Sequence, residues 1–425
     1  MKAFAFIRQY SFAKYIMVDL ARSFRDLGWP IQWVDLEDIV RKEKDSPSGD
    51  MAALVRTLCG DAEAFDPDVV LTYGLEYVCD GAQVFGEGFH QPLSELLGRP
   101  AVHFLFDFGS PFDKEHADEI EPEFLRGLQS PDFIFFCWDK EAVSRMKDFG
   151  LLKSFYFPMA VNPDAFHPLD KASASLDPYR SDIVFAGGPT PERISHLACL
   201  ADLGLTVYGY KEEEWKAHPR LAPCWRPPIK ERERLNQCYN ASRISVNVTR
   251  PHGFTSLNMR VYEAMAAGSL MLTDEKSDAQ ELFEVDREIV LYRSLDELRE
   301  KARWFLAHEK ERRRIAEAGM KRVHEEHTYR SRVRNILPVI DRFYRERLLF
   351  QKITERAAQD PEKAFQLLGQ SGIAETIRMN MDFYAFLLAS LAEKTGKNHL
   401  AREYVGMALE INPYHVSARE LNERL

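Results

Sequence analysis

The sequence predicts an α/β protein made of two doubly wound, Rossmann-like domains followed by an α-helical extension. Three observations predict it. Short apolar runs alternate with longer helical stretches in two successive series, a proline-rich break divides the series, and beyond Leu295 the strand rhythm stops.

The first series comprises Ala3 to Ile7, Ile31 to Leu36, Val69 to Tyr73, Ala101 to Phe106, Phe133 to Cys137 and Ser154 to Phe157. Several of these runs are apolar on both faces, which suits strands of a parallel sheet covered by helices on each side. The chain then meets Pro158, Pro163 and Pro168 in quick succession and turns polar from Lys171 to Arg180, so this segment reads as a linker. The second series follows as Asp182 to Ala186, Leu205 to Tyr208, Ile244 to Val248, Leu270 to Thr273 and Glu288 to Tyr292. Two such domains facing each other across a cleft would bring the carboxyl ends of both sheets to the crevice, where open α/β sheets bind ligands. From Leu295 to Phe350 the chain reads as helix. Further on, the spacing of Ala389, Gly396, Ala401, Ala408 and Pro413 resembles one tetratricopeptide (TPR-like) repeat, whose small residues let paired helices pack closely. The domains are accordingly placed at residues 1–165, 166–335 and 336–425.

Composition narrows the class of function. The 425 residues carry a formal charge of -10, and a general nucleic-acid binder needs the opposite field, so no nucleic-acid partner is expected. The six cysteines are scattered, with no Cys-x-x-Cys pair and no histidine grouping at metal-ligand spacing, which predicts a reduced, cytoplasmic protein without a bound metal. No stretch approaches the ~18 uninterrupted apolar residues of a membrane span. The basic runs at 311–314 and 329–334 read as solvated helix faces.

The segment from Thr255 to Asp274 carries the most chemical information. Arg260 and Glu263 lie three apart at the start of a predicted helix and so share one face. A guanidinium fork can bind two phosphate oxygens at once, and a carboxylate can accept both hydroxyls of a ribose diol. The same spacing also suits a surface ion pair. Ala264, Ala266, Ala267 and Gly268 let this helix sit close to the sheet. The loop before it, Thr249 to Ser256, leads from strand to helix, so N–H groups at the helix start, supplemented by Arg250, suit an anion. Asn247 and Asn258 either orient their neighbours or touch the ligand.

Several pieces of the second domain resemble a known family. They are Asp182-Ile-Val-Phe-Ala-Gly-Gly188 with Pro191-Glu-Arg193, Tyr239-Asn-Ala-Ser-Arg-Ile-Ser-Val-Asn-Val248, and Ser256-Leu-Asn-Met-Arg-Val-Tyr-Glu263 with Gly268. To these add Glu288-Ile-Val-Leu-Tyr292, Arg314-Ile-Ala-Glu-Ala-Gly319 and His327-Thr-Tyr329 with Arg332. Together they resemble the CgeB-like (spore maturation protein type) glycosyltransferases of the GT-B superfamily, with a C-terminal domain like that of the glycosyl transferases group 1. The resemblance implies that the second domain holds a nucleotide sugar. It puts Gly187 and Gly188 beside the diphosphate, Arg260 on it and Glu263 on the ribose. Retaining relatives with a Glu-x7-Glu motif have an acidic residue eight positions before the ribose-binding glutamate, where this chain has Thr255.

The first domain is then expected to bind the acceptor. A general base would reach the acceptor hydroxyl from a strand end. Asp107, directly after an apolar strand, resembles the aspartate the family often shows there and is the preferred catalytic residue over Tyr73-Gly-Leu-Glu76 and His103, the last of which reads as a core histidine. Arg8-Gln-Tyr-Ser11 stands where the superfamily commonly has a glycine-rich turn, and suggests an acceptor-shaping loop. The expected reaction transfers sugar from a nucleotide diphosphate sugar, a co-substrate, to a hydroxyl acceptor, with no tightly bound cofactor. Arginines and helix N-termini would stabilise the leaving diphosphate, and closure about Pro158 to Pro168 would exclude water. A protein acceptor held by the C-terminal helical repeat is one expectation. Two rivals use the same shell: a sugar-nucleotide epimerase, which would turn over donor without acceptor, and a non-catalytic scaffold whose repeat recruits a partner.

Overall fold

The computed structural model describes residues 1–7, 11–35, 60, 62, 64–73, 98–105, 122–250, 253–369 and 373–425. The chain divides into two compact units, Met1–Phe157 together with Val333–Leu425, and Pro158–Arg332.

In the first unit β1 (Ala3–Ile7), β2 (Ile31–Asp35), β3 (Val69–Tyr73), β4 (Ala101–Leu105), β5 (Phe133–Cys137) and β6 (Ser154–Tyr156) form a six-stranded sheet in the order β2-β1-β3-β4-β5-β6. Every pairing is parallel. All residues of β4 and β5 are buried, as a parallel sheet between helical layers requires. The helices described around it are α1 (Ser11–Asp26), α2 (Pro122–Leu128) and α3 (Lys140–Asp148). The side chain of Asp139 caps α3 by accepting from the N–H groups of Glu141 and Ala142.

The second unit repeats the plan with β7 (Ser181–Ala186), β8 (Leu205–Tyr208), β9 (Trp225–Arg226), β10 (Ser242–Asn247), β11 (Leu270–Asp274) and β12 (Val290–Tyr292). The order is β9-β8-β7-β10-β11-β12, again parallel throughout. Numbered within this unit, that is 3-2-1-4-5-6, the arrangement whose reversal point lies between its first and fourth strands. Here those are β7 and β10. Its helices are α4 (Pro191–Ala198), α5 (Glu212–Lys216), α6 (Arg232–Ala241), α7 (Met259–Ala266), α8 (Ser277–Leu282), α9 (Leu295–Ala307) and α10 (Glu309–Glu326). Phe185, Val207, Val246 and Leu272 from the strands pack with Leu197, Trp215, Leu298 and Phe305 from the helices in one buried core. Each such side chain contributes roughly 1.5–3 kcal/mol by leaving water. At Gly319 of α10 a β carbon would strike the Glu288 carbonyl and stand 2.8 Å from the Met265 methyl, so glycine lets α10 close on α7.

The proline-rich segment is built into the second unit rather than hanging free. Val161 donates its N–H to His327 O at 3.0 Å and accepts from Tyr329. Asn236 and Asn240 of α6 accept from the N–H groups of His167 and Leu169.

The chain returns to the first unit within α11 (Tyr329–Gln359), and α12 (Pro361–Leu368), α13 (Ile373–Thr376), α14 (Met381–Lys394), α15 (Asn398–Ile411) and α16 (Val416–Arg424) follow. Ala385, Ala389, Val405 and Ala408 are fully buried where α14 meets α15. Buried polar contacts join these helices to the first sheet's layer. Lys153 Nζ donates to Ser130 O at 2.8 Å and to Asn380 Oδ1 at 2.7 Å. Glu346, 1% exposed, accepts from the Met379 N–H and from Asn380 Nδ2. Asn412 Nδ2 donates to Gly150 O and to Asp382. Among the described residues no helix is long and apolar enough to cross a membrane.

Candidate functional site

The strand reversal of the second unit gathers the residues singled out from the sequence. β7 ends at Ala186 and is followed by Gly187, Gly188 and Pro189. Thr190 then caps α4, its side chain accepting the Arg193 N–H at 3.2 Å, and Pro191 supplies a pre-set first helical residue. Arg193, 3% exposed, reaches back to donate through Nε to Val248 O at 2.9 Å and through Nη1 to Gly188 O at 3.0 Å. It thereby ties the turn after β7 to the end of β10.

Arg260 arrives from the first turn of α7. Its Nε donates to Ala186 O and its Nη1 to Asn247 Oδ1, both at 2.6 Å. The Arg260 and Arg193 guanidinium carbons stand 4.5 Å and 5.4 Å from the centre of the buried Phe185 ring, so one aromatic side chain supports two cations. A β carbon at Gly187 would sit on the Arg260 guanidinium and 3.2 Å from the Phe185 ring, which is why this position takes glycine. A β carbon at Gly188 would lie 3.6 Å from Nη2 of Arg250, an exposed residue. Three guanidinium groups therefore border the Gly187-Gly188 turn, that of Arg260 at Gly187 and those of Arg193 and Arg250 at Gly188.

Their electrostatics follow from that crowding. Burial, then the charges of Arg260 and Arg250, push the Arg193 guanidinium down to about 9, against the opposing pull of Asp274. Arg260 also lies below its ordinary value, chiefly through burial, with Tyr239 and Glu263 opposing and Arg250 adding to the effect. Like charges held together, with Arg193 out of water and Arg250 exposed beside it, favour an anion among them. Glu263, 5% exposed, lies one turn beyond Arg260 on α7, and its charge acts both on Arg260 and on the buried Tyr239 phenol, which burial above all raises. Arg260 and Glu263 thus share a surrounding, as their spacing predicts.

Asn247, fully buried at the end of β10, organises the neighbourhood. Its Oδ1 accepts from Arg260 and from Asn258 Nδ2, and its Nδ2 donates to Thr273 Oγ1 at 2.9 Å. Because the guanidinium can only donate, the Asn247 amide orientation is fixed. Asn258 must then present its own Nδ2, and it stands at the N-terminus of α7 without capping the helix. Asp274 Oδ1 accepts from both the N–H and the hydroxyl of Thr249 at 3.0 Å.

The structure therefore brings together Gly187, Gly188, Arg250, Asn258, Arg260 and Glu263. Sequence reasoning assigned no role to Arg193, Phe185, Tyr239 or Asp274. The signal for Arg193 was its place just inside a capped, proline-started helix after the glycine turn. In the first unit, Asp107, residues 74–76 of the Tyr73 to Glu76 strand end, and residues 8–10 of the Arg8 to Ser11 loop lie outside the described residues. His103 is a core residue, 2% exposed, hydrogen-bonded to Thr72, stacked on Phe135 and pushed down to about 3 by burial. Among the described residues no group of three or more His, Cys, Asp or Glu is placed to hold a metal ion.

Residues 192–338 match the family described as glycosyl transferase-like. The chain carries a glycosyltransferase domain. The matched stretch contains Arg193, Arg250, Asn258, Arg260 and Glu263, and begins just after Gly187 and Gly188. Over 279 residues the chain is 25% identical to spore protein CgeB of Bacillus subtilis (strain 168), covering 61% of this chain and 78% of that protein. The fold is similar to that of sucrose-phosphate synthase (tll1590) from Thermosynechococcus elongatus, with a TM-score of 0.57 at 13% identity over 83% of this chain and 100% of that one. It is also similar to Anabaena Alr3699/HepE in complex with UDP-glucose, with a TM-score of 0.55 at 15% identity over 80% of this chain and 99% of that one. Two parallel six-stranded sheets and these likenesses make the fold of the glycosyltransferase GT-B.

Proposed function

We propose that this glycosyltransferase takes sugar from a nucleoside diphosphate donor and transfers it to a hydroxyl acceptor. In this reading Arg193, Arg250 and Arg260 hold the diphosphate beside Gly187 and Gly188, Asn258 lines the same pocket of polar groups, and Glu263 accepts the ribose hydroxyls. The observation that supports it is the three guanidinium groups bordering the Gly187-Gly188 turn at the strand reversal of a parallel sheet. As the bond from sugar to phosphate breaks, charge builds on the leaving diphosphate. Donors already fixed by Ala186 O, Gly188 O, Val248 O and Asn247 need little rearrangement to stabilise it.

Asp107 is the general base we assign to the acceptor hydroxyl, on its place in the sequence directly after the apolar run Ala101 to Phe106. Asp107→Asn is expected to lower kcat by about 10²–10⁴ while leaving donor affinity intact. The acceptor is a hydroxyl of a glycan or a protein. A protein acceptor would be met by the C-terminal helices, where Met407, Ile411 and Tyr414 are exposed. Equal transfer to the macromolecule and to a small mimic after those three are changed to serine would remove that part of the reading.

The deciding test is thermal stabilisation of purified protein by a panel of nucleotides and nucleotide sugars, with UDP-glucose, the ligand of the Anabaena structure, included. A ligand that binds only the folded state raises the melting temperature by mass action. Stabilisation by one nucleotide family, lost in Arg260→Ala and Glu263→Ala, is the expected result, followed by donor turnover that depends on an acceptor. No stabilisation by any nucleotide sinks the donor reading, and turnover without acceptor points to an epimerase.

A further inference from the structure

The loop Thr249 to Ser256 leaves β10 and returns to α7, carrying Arg250 over Gly188; residues 251 and 252 within it lie outside the described residues. Its backbone is tied at its start, middle and end, by the last residue of β11, the turn after it and the first turn of α8. At the start, Asp274 Oδ1 accepts from the Thr249 N–H and hydroxyl, each at 3.0 Å. In the middle, Lys276 Nζ donates to Gly253 O at 2.7 Å. At the end, Thr255 O accepts the Asp278 N–H at 3.1 Å. Lys276 Nζ stands 3.9 Å from Asp274 Oδ2, so ammonium and carboxylate also steady one another, with only 18% and 21% of the two side chains exposed.

We propose that the Asp274 to Asp278 segment, from the end of β11 to the start of α8, is the positioning element of the donor site, with Asp274 and Lys276 as positioning residues that hold Arg250 where the diphosphate arrives. This rests on the reading that Arg193, Arg250 and Arg260 hold a diphosphate. An arginine on an unfixed loop must be ordered when ligand binds, and that ordering is subtracted from affinity. A loop already tied along its backbone presents the guanidinium in place, and the ties do this without any contact to ligand.

The test titrates full-length protein with UDP, GDP and ADP by calorimetry, in the wild type, Lys276→Met, Lys276→Arg and Arg260→Ala. Lys276→Met should weaken the nucleotide that the wild type binds by about tenfold, the cost of one charged hydrogen bond, and Lys276→Arg should recover most of it. Hydrogen exchange should quicken in peptides spanning 249–256 alone, at an unchanged melting temperature without nucleotide. Wild-type affinity in Lys276→Met, or faster exchange spread over the whole second unit, overturns the positioning role while Arg260→Ala still marks the site. Wild-type protein that binds none of the three nucleotides, or Arg260→Ala that binds as well as wild type, overturns the site reading and the positioning role with it. Thr249→Val, which removes the hydroxyl bond to Asp274 and keeps the N–H bond, is held to the same outcomes should Lys276→Met not fold.

Discussion

A β carbon at Gly187 would land on the Arg260 guanidinium, so this glycine and this arginine constrain each other. Gly187→Ala is expected to displace Arg260 from Ala186 O and Asn247 and to weaken nucleotide binding as much as Arg260→Ala does, by tenfold or more at about 1.5–3 kcal/mol per charged hydrogen bond. Calorimetric titration of both variants checks it, and an unchanged affinity in Gly187→Ala would mean the guanidinium is not needed where it stands. Arg260→Lys should fare little better, because one ammonium on a flexible stem cannot reproduce a planar fork that reaches a backbone carbonyl and an amide together. Both losses should leave the melting temperature of ligand-free protein nearly unchanged if the arginine serves the ligand more than the fold.

Among the elements, the C-terminal helices make a prediction that depends on pH. Burial holds Lys153 at about 8 rather than 10.5, against the pull of Asp382, Asp132 and Glu346. The unfolded chain keeps that proton up to its ordinary value, so between these limits the unfolded state binds more protons and stability rises with pH. Below pH 8 the folded state carries the full cost of an enclosed ammonium. Relative to Lys153→Met, which has no such charge, the wild type should therefore gain stability as pH goes from 8 to 10, by up to about 3 kcal/mol over the whole window. Denaturant midpoints of the two proteins give the difference, and a flat difference would mean that the ammonium is better solvated than its neighbours Ser130 and Asn380 allow. Gly150 belongs to the same junction. It takes φ +78, and a β carbon there would sit on Asn412 Oδ1 and 2.8 Å from Gln129 Nε2. Gly150→Ala should loosen α15 and α16 from the first sheet's layer, seen as faster proteolysis of the C-terminal helices.

For the whole molecule, the chain crosses between its compact units at Phe157–Pro158 and again inside α11. The C-terminal helices share a unit with the first sheet, so deleting 382–425 is expected to do more than remove a surface. It strips Asn412 from Gly150 and Tyr414 from Gln129, and should lower the unfolding temperature of the first unit. A truncated protein with unchanged unfolding would show the extension to be a dispensable appendage. Nucleotide, by contrast, should slow hydrogen exchange around 186–190, 247–256 and 260–274 of the second unit and leave 381–424 unaffected. Protection confined to the C-terminal helices would contradict the donor site.

The strands were legible because hydrophobic periodicity is local: β1, β3 and β5 begin and end where the apolar runs do, whereas β9, two residues long, is too short to show a period. The pairing of Arg260 with Glu263 was legible for the same reason, since a helix turns spacing into a shared face. The fates of individual charges were not. Arg193 meets Val248 from 55 residues away and Asp274 meets Thr249 across 25, so neither role exists until the sheet assembles. Arg312 and Arg332 sit in basic runs that read as solvated, yet both are 8% exposed, one donating to Arg243 O and the other to His327. The proline-rich segment likewise reads as a tether until Asn236, Asn240 and His327 come to meet it. Sequence alone determined which faces are apolar and therefore the two-sheet plan. Tertiary structure decided which polar groups leave water, because that depends on partners that only folding brings within hydrogen-bond reach.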